Sequence, residues 1–511
     1  MALRKVRSAW IFLSATVMLL FSSCATKSNI EQVAMSDNYR IYYEIFVASF
    51  YDTDGDGMGD LQGIRQKLDY LNEAGSSKSL GVNGLWLMPI MSSPSYHKYD
   101  VTDYYSVDPD YGTLEDFKAL AAACKERNIA LIIDLPINHT SDRHPWFQAA
   151  LSGDQDYENY YRFRDDFASD FHKDERSGRF FEGHFGSHMP DLNLANPQVR
   201  QELSDICKFW LDAGVNGFRL DAVSWFFSSN ITANVEFLSW LYNELKTFDP
   251  DVYLVGEAWS DATTILALYE SAIPSFFNFP FSQSTGTLIS SIRAGKGASL
   301  ASAVDRWYAQ LPQGAIDAPF LTNHDHARSA GALMGDLILQ KQAAAVYLLL
   351  PGNPFIYYGE EIGMRGGSGR DENKRTPMIW SLSDSEGITN PPEGSDDIRP
   401  LDEGVAEQLK NKNSLLRYYI DIIAIKNRYP ALARGLFNIM QVDDQQLFAY
   451  TVTYEGTTYA VVHNIGSEAS SVPLAGYSLI EAISTNNKKP QFKNSLLQMP
   501  RYSSAILVVS H

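Results

Sequence analysis

From residue 39 onward, short continuous apolar runs alternate with stretches in which apolar residues recur every three or four positions. The runs at 41–46, 84–90, 130–137, 217–223, 252–258, 276–281, 319–323 and 354–358 have the length and texture of strands buried on both faces. Between them the sequence predicts helices with proper ends. In one, Asn196 caps, Pro197 takes the first turn, Val199, Leu203, Ile206 and Trp210 form the apolar stripe, and Gly214 closes it. Another opens on a Thr113/Asp116 capping box and runs to Arg127. Eight such strand–helix units predict a (β/α)8 barrel, with an open doubly wound sheet as the alternative. The stretch 138–193 is too long for a strand–helix loop and predicts a small inserted domain over the C-terminal ends of the strands. The barrel domain then spans 38–434. Beyond it the period shortens to two, in runs at 447–453, 457–463, 471–474, 477–483 and 504–509, which predicts an antiparallel β-sandwich over 435–511. It is read as structural, with a carbohydrate-binding surface as the lesser alternative.

The N-terminus has its own pattern. Arg4, Lys5 and Arg7 precede an apolar run from Ala9 to Phe21 and then Ser22-Ser23-Cys24. This is the layout of a secretory signal over 1–23, too short to span a bilayer comfortably. The cysteine after small residues resembles a bacterial lipobox, with Phe21 where leucine is commoner. That resemblance implies lipidation of Cys24, a tether over 24–37, and a place in the bacterial cell envelope on the periplasmic or surface side. An ordinary secretory peptide is the alternative. No later run is long and apolar enough to cross a membrane, so attachment is expected through the lipid alone. A net charge of −19 argues against nucleic acid and against an anionic membrane surface. Cys124 and Cys207 fall in helical patterns and are expected to be buried thiols. The protein is expected to be a monomer.

In a barrel, chemistry comes from the C-terminal ends of the strands. The third ends in Asp134-Leu135-Pro136-Ile137-Asn138-His139, the fourth carries Arg219 and Asp221, the fifth gives Glu257-Ala258-Trp259, and the seventh Asn323-His324-Asp325. Arg219 and Asp221 lie two apart and share a face of the pleat, where a fixed guanidinium keeps a neighbouring carboxylate charged. Glu257 is flanked by apolar and aromatic residues, the setting that raises a carboxyl pKa. A charged carboxylate and a protonated one are what hydrolysis of a glycosidic bond with retention requires, with Asp221 in the first role and Glu257 in the second. Asp325, His139 and His324 are then available to hold sugar hydroxyls. A metal-dependent hydrolase is the competing use of histidine and aspartate at such a rim, but the paired His-x-His of many such sites is missing from strand one.

These four stretches, 134–139, 217–223, 256–259 and 320–325, resemble in order and spacing the motifs of the α-amylase family, glycoside hydrolase family 13, and the resemblance covers the chain from Tyr39 to the C-terminus. It implies Asp221 as nucleophile, Glu257 as acid/base, Asp325 as transition-state stabiliser, and Arg219, His139 and His324 around the sugar before the scissile bond. Tyr99 and Asp100 match the stacking tyrosine and its neighbour, and Arg328 joins them as a substrate-binding candidate. Met189-Pro190-Asp191-Leu192-Asn193 is similar to a stretch found in a group intermediate between oligo-1,6-glucosidases and neopullulanases, which includes lipoprotein α-amylases. The chain departs from the family in two places. Ser224 and Trp225 stand where many α-amylases have Lys-His, which serves the leaving-group side and a calcium site. Tyr96 stands where exo-acting 1,6-glucosidases hold the terminal sugar with an aspartate. The resemblance therefore implies internal cleavage of α-1,4-glucosidic bonds in starch-like glucans. An exo-acting α-glucosidase or oligo-1,6-glucosidase, an α-glucan transglycosylase, and a non-catalytic glycan-binding lipoprotein are the alternatives.

One further cluster lies near strand one. Asp52, Asp54, Asp56 and Asp60, with the Met58 carbonyl, place oxygens at alternate positions about a glycine turn, as in the first half of an EF-hand loop, but the twelfth position is Gly63 and not glutamate. The spacing suits Ca²⁺, with Mg²⁺ and a solvated acidic turn as the alternatives, and the family resemblance implies a structural calcium there, remote from bond cleavage.

Overall fold

The computed structural model describes residues 37–367 and 369–510; the signal, Cys24 and most of the tether lie outside them. Its centre is a parallel sheet in the order Ser275–Phe276, Tyr253–Gly256, Gly217–Leu220, Ala130–Leu135, Gly84–Leu87, Tyr42–Ile45, Phe355–Tyr357. Two single parallel bridges, Phe277 with Ala318 and Phe320 with Phe355, place residues 318–320 between the outer strands and close the sheet into a (β/α)8 barrel. The doubly wound alternative is excluded, because that sheet would leave two open edges.

Every barrel strand is shorter than the apolar run that announced it, and two runs contribute least. The run 276–281 leaves the sheet early, because Asn278 turns its amide to Asp317 and Phe279–Phe281 forms a turn of 3-10 helix. At 319–323, Pro319 has no N–H to donate and takes part only through its carbonyl, which accepts from the Phe355 N–H at 2.9 Å. The helices keep their predicted ends. Pro197–Ala213 is capped by Asn196 and closed by Gly214 at φ 111°, where a left-handed backbone favours glycine. Leu114–Glu126 carries the Thr113/Asp116 capping box.

Between the strand Ala130–Leu135 and the helix Pro197–Ala213 the chain makes the helix Pro145–Leu151 and a three-stranded antiparallel sheet of Phe163–Arg164, Phe180–Glu182 and Phe171–Lys173. At the C-terminus, Leu436–Ile439, Leu447–Tyr454, Thr457–Asn464, Ser503–Val509 and Tyr477–Ser484 form an antiparallel sheet facing a smaller one of Ser470–Pro473, Leu496–Met499 and Gln491–Lys493. The period of two has a direct consequence here. Leu447, Ala449, Ala460, Val462, Ala505 and Leu507 point into a small core between the two sheets, while Phe448, Tyr450, Val461 and Ile506 join the main core. The Tyr450 hydroxyl donates to the Leu349 carbonyl at the end of a barrel helix at 2.9 Å. Cys124 and Cys207 are buried free thiols, as expected, and burial pushes the Cys124 thiol up to about 12. Among the described residues no helix is long and apolar enough to cross a membrane.

Candidate active site

The register of three neighbouring strands sets the geometry. Arg219 lies opposite Asp134 on one side and Val255 on the other, so its side chain emerges between the third and fifth strands. Its guanidinium is fully buried and touches three carboxylates: Asp134 at 2.8 Å and Asp221 at 2.7 Å through Nη1, and Glu257 at 2.9 Å through Nη2. A charge this deep is offset by the three carboxylates around it, although Nε has no hydrogen-bond partner among the described residues. The strand ends at Leu220, and Ala222 turns at φ 51°, a left-handed conformation uncommon for a residue with a Cβ. That turn aims the Ala222 N–H at Glu257 Oε2, 3.2 Å away, and the Val223 N–H donates to the Glu257 carbonyl at 3.0 Å. Asp221 and Glu257 are thus neighbours held by one cation and one strained turn.

Burial pushes the Glu257 carboxyl up to about 7 against the opposing pull of Arg219, with Asp221 and Asp325 adding to the rise. Asp325 moves the other way. Burial opposes its charge, but His324 at 3.1 Å and Arg375 at 2.8 Å hold its carboxyl well below the usual range. Burial likewise works against a charge on His324, yet Asp325 on one ring nitrogen and Glu44, 2.5 Å from the other, push it up to about 10. The sign follows. A histidine raised from 6.5 contributes stability in full below pH 6.5 and loses it as pH climbs toward about 10. His324→Gln is therefore expected to flatten the alkaline fall in melting temperature over that interval, read by calorimetry from pH 6 to 10.

A cavity of about 290 Å³ opens over this cluster. Of the residues singled out in the sequence, Tyr99, His139, Asp221, Glu257 and Asp325 line it. Arg219 and His324 lie beneath the lining; the Tyr99 hydroxyl, 2.9 Å from Asp134 and 2.7 Å from His324 Nε2, ties the wall to that buried layer. His139 Nε2 is buried with no hydrogen-bond partner among the described residues. Two candidates stand elsewhere. Asp100 is buried and accepts from Ser93 and Ser95, holding the loop that presents Tyr99. Arg328 is buried against the rings of Tyr357 and Tyr358 and donates to the Tyr358 carbonyl, outside the cavity wall.

Other residues in the site had no motif to announce them. Arg375 reaches Asp325 from fifty positions along the chain and also donates to the Tyr96 hydroxyl at 3.1 Å. Asp371, His97 and Phe185 likewise line the wall, and Met189, Ser224, Trp225 and Trp259, which the sequence motifs had named, complete it. Glu44 had a readable signal, a single carboxyl inside an otherwise apolar strand. In the acidic loop, the carboxylates of Asp52, Asp54 and Asp56 offer oxygens all within 4.8 Å of one another. Asp60 is not in that trio. It accepts from Thr53 and from the Gly63 N–H, capping the helix Leu61–Gln66. Among the described residues no lysine or arginine pairs with the trio, and an all-oxygen set without a protein counter-charge fits a hard divalent cation.

Residues 44–435 match the family model for the alpha amylase catalytic domain, and residues 447–506 match that for the alpha-amylase SusG C-terminal domain. "Alpha-amylase 3" of Dictyoglomus thermophilum is 39% identical over 447 residues, covering 83% of this chain and 84% of that one. The solved structure "Eubacterium rectale Amy13B" superposes with a TM-score of 0.89 at 38% identity, covering 94% of this chain and 97% of that one. An oligo-1,6-glucosidase of Parageobacillus thermoglucosidasius is 29% identical, covering 84% and 90%. The chain therefore belongs to the alpha-amylase family of glycoside hydrolases.

Proposed function

We propose that this glycoside hydrolase cleaves internal α-1,4-glucosidic bonds of starch-like glucans with retention of configuration. The observation that carries the reading is the Arg219 guanidinium gripping Asp221 and Glu257 under one cavity, with the pKa of Glu257 raised. Retention needs two carboxyl groups about 5 Å apart, one attacking and one protonating. Asp221 attacks the anomeric carbon as the Glu257 proton passes to the departing oxygen. The glycosyl–enzyme ester is then opened by a water that gives its proton back to Glu257. Asp325, held ionised by His324 and Arg375, accepts from sugar hydroxyls and supports the positive charge that develops on the ring.

Internal cleavage is favoured by Tyr96, which stands where an aspartate would close the pocket around a terminal sugar and instead packs edge-on against Phe46 and bonds Arg375. The second reading, an exo-acting α-glucosidase, draws on the oligo-1,6-glucosidase relatives. A maltooligosaccharide blocked at its non-reducing end separates the two: internal cuts support the first, and consumption of unblocked chains alone, one glucose at a time, supports the second. Because Glu257 must carry a proton to act as acid and its pKa is about 7, kcat/KM is expected to fall with rising pH above about 7. A pH–rate profile flat to pH 9 would remove Glu257 from that role.

Asp52, Asp54 and Asp56 would hold a structural Ca²⁺, which neutralises their mutual repulsion and fixes the loop. The Asn390 N–H donates to the Gly57 carbonyl and the Asp52 N–H to the Gly387 carbonyl, so the loop also anchors a distant segment. Chelation is expected to lower the melting temperature, and added calcium to restore it. Lipidation at Cys24 would hold the enzyme at the cell envelope, and Cys24→Ala is expected to move it from the membrane fraction to the soluble one.

A further inference from the structure

Glu44 is the one carboxyl on the first barrel strand, Tyr42–Ile45, and it points into the barrel. Tyr42 stacks on Phe355 of the last strand and on Tyr253 of the fifth, so it faces inward, and Glu44 two residues on shares that face. The backbone of Glu44 is pinned in register between Trp86 and Tyr357, and its carbonyl accepts from the Tyr358 N–H at 3.0 Å. Its side chain is buried and meets one ionisable partner, with Oε1 2.5 Å from Nδ1 of the buried His324.

The protons on His324 can be counted from its neighbours. Asp134 turns both oxygens to Arg219 Nη1, at 2.8 and 3.0 Å, so it is an acceptor. The single proton of the Tyr99 hydroxyl therefore goes to Asp134 Oδ2 at 2.9 Å, and the Tyr99 oxygen accepts from His324 Nε2 at 2.7 Å. On the other side of the ring, Glu44 Oε1 accepts from the His324 backbone N–H at 3.4 Å as well as from the ring, and an oxygen that serves two donors carries no proton of its own. Nδ1 then donates too, and a ring that donates from both nitrogens is an imidazolium. Nε2 also lies 3.1 Å from Asp325 Oδ2, while Arg375 holds Asp325 Oδ1 at 2.8 Å and donates from Nε to the His324 carbonyl at 3.2 Å. Arg219, His326 and Glu257 complete the charged and titratable surroundings of the ring.

We propose that Glu44 is a positioning residue of the reaction: it fixes His324 as a double donor, so that the grip of the ring on Asp325 and Tyr99 does not change with pH across the working range. The proposal rests on the retaining reading above, in which Asp325 supports the charge that develops on the sugar. The effect is one of aim. In Glu44→Gln the amide keeps its oxygen toward the backbone N–H and so toward Nδ1–H, and the proton that a neutral ring gives up is the one on Nε2. A lone pair there would release Asp325 Oδ2 and compete with Asp134 for the Tyr99 proton.

The test reads kcat/KM for α-maltosyl fluoride against pH, because fluoride needs little help from an acid and the Glu257 limb drops out of that profile. The wild type is expected to be flat from pH 7 to 9. Glu44→Gln should match it within about threefold at pH 6 and then fall about tenfold between pH 7 and 9, as His324, released from about 10 toward its ordinary 6.5, gives up a proton and with it a hydrogen bond to a charged group. Wild-type protein labelled with ¹⁵N-histidine provides a measurement that needs no Glu44 variant: at pH 8 the ring whose signals are missing from His324→Gln should be protonated on both nitrogens. A bare nitrogen on that ring at pH 8, or a Glu44→Gln profile with the wild-type shape, would overturn the proposal while leaving the retaining reading intact. A folded wild type that releases no fluoride at any pH would overturn that reading itself.

Discussion

Asp221→Asn is expected to reduce turnover of maltooligosaccharides by about 10⁴-fold or more while the fold persists. An amide keeps the size of the carboxyl and can still accept from Arg219, but it does not attack an anomeric carbon, and loss of a nucleophile of this kind costs on the order of 5 kcal/mol or more of transition-state stabilisation. The variant should remain folded because Arg219 keeps its contacts to Asp134 at 2.8 Å and Glu257 at 2.9 Å. Single-turnover kinetics and circular dichroism on the same preparation provide the check. Substantial residual cleavage by a folded variant would move the nucleophile elsewhere. Glu257→Gln is the companion change: it should also lose glucan cleavage, but retain more activity toward a fluoride substrate, which needs little help from an acid.

The second large effect concerns Arg219. Replacing it with methionine leaves Asp134, Asp221 and Glu257 packed together without their shared cation. Breaking a buried ion pair from one side costs about 3–5 kcal/mol. Chemical unfolding of Arg219→Met should therefore begin at markedly lower denaturant, with activity lost as well. The loss has a pH signature. Carboxyl groups deprived of the cation have raised pKa values in the folded state, so the destabilisation is small at low pH, where they are protonated, and grows as pH rises through those values. Arg219→Lys restores a charge but not a planar fork that serves three carboxylates from two nitrogens, so it should regain stability more than activity. If Arg219→Met were as stable as the wild type at pH 8, the cluster would not be what holds this part of the barrel together.

The barrel could be read from the alternation of buried strands and capped helices because each strand is covered on both faces and so needs an unbroken apolar run. Every barrel run overshot its strand, and the rule failed most where another force ended the strand: at Asn278, which bonds Asp317, and at Pro319, which lacks an N–H. Asp221, Glu257 and Asp325 were legible because they end apolar strands, where a charged residue has no packing role. Arg375 was not, since an arginine in a polar loop has no distinguishing pattern, and its value comes from lying 2.8 Å from Asp325. Asp100 and Arg328 show the converse. Both sit beside recognisable motifs, yet the folded chain turns one toward serines and the other against tyrosine rings.

The sequence by itself determined the elements, their order, the carboxylates at the strand ends and the acidic loop, because periodicity, capping and spacing are local properties written residue by residue. The tertiary structure alone decided which carboxyl is raised and which is lowered, that one guanidinium serves three acids, and that Glu44 meets His324. These depend on burial and on distances between residues far apart in the chain, and electrostatic energies change steeply over the last few ångströms.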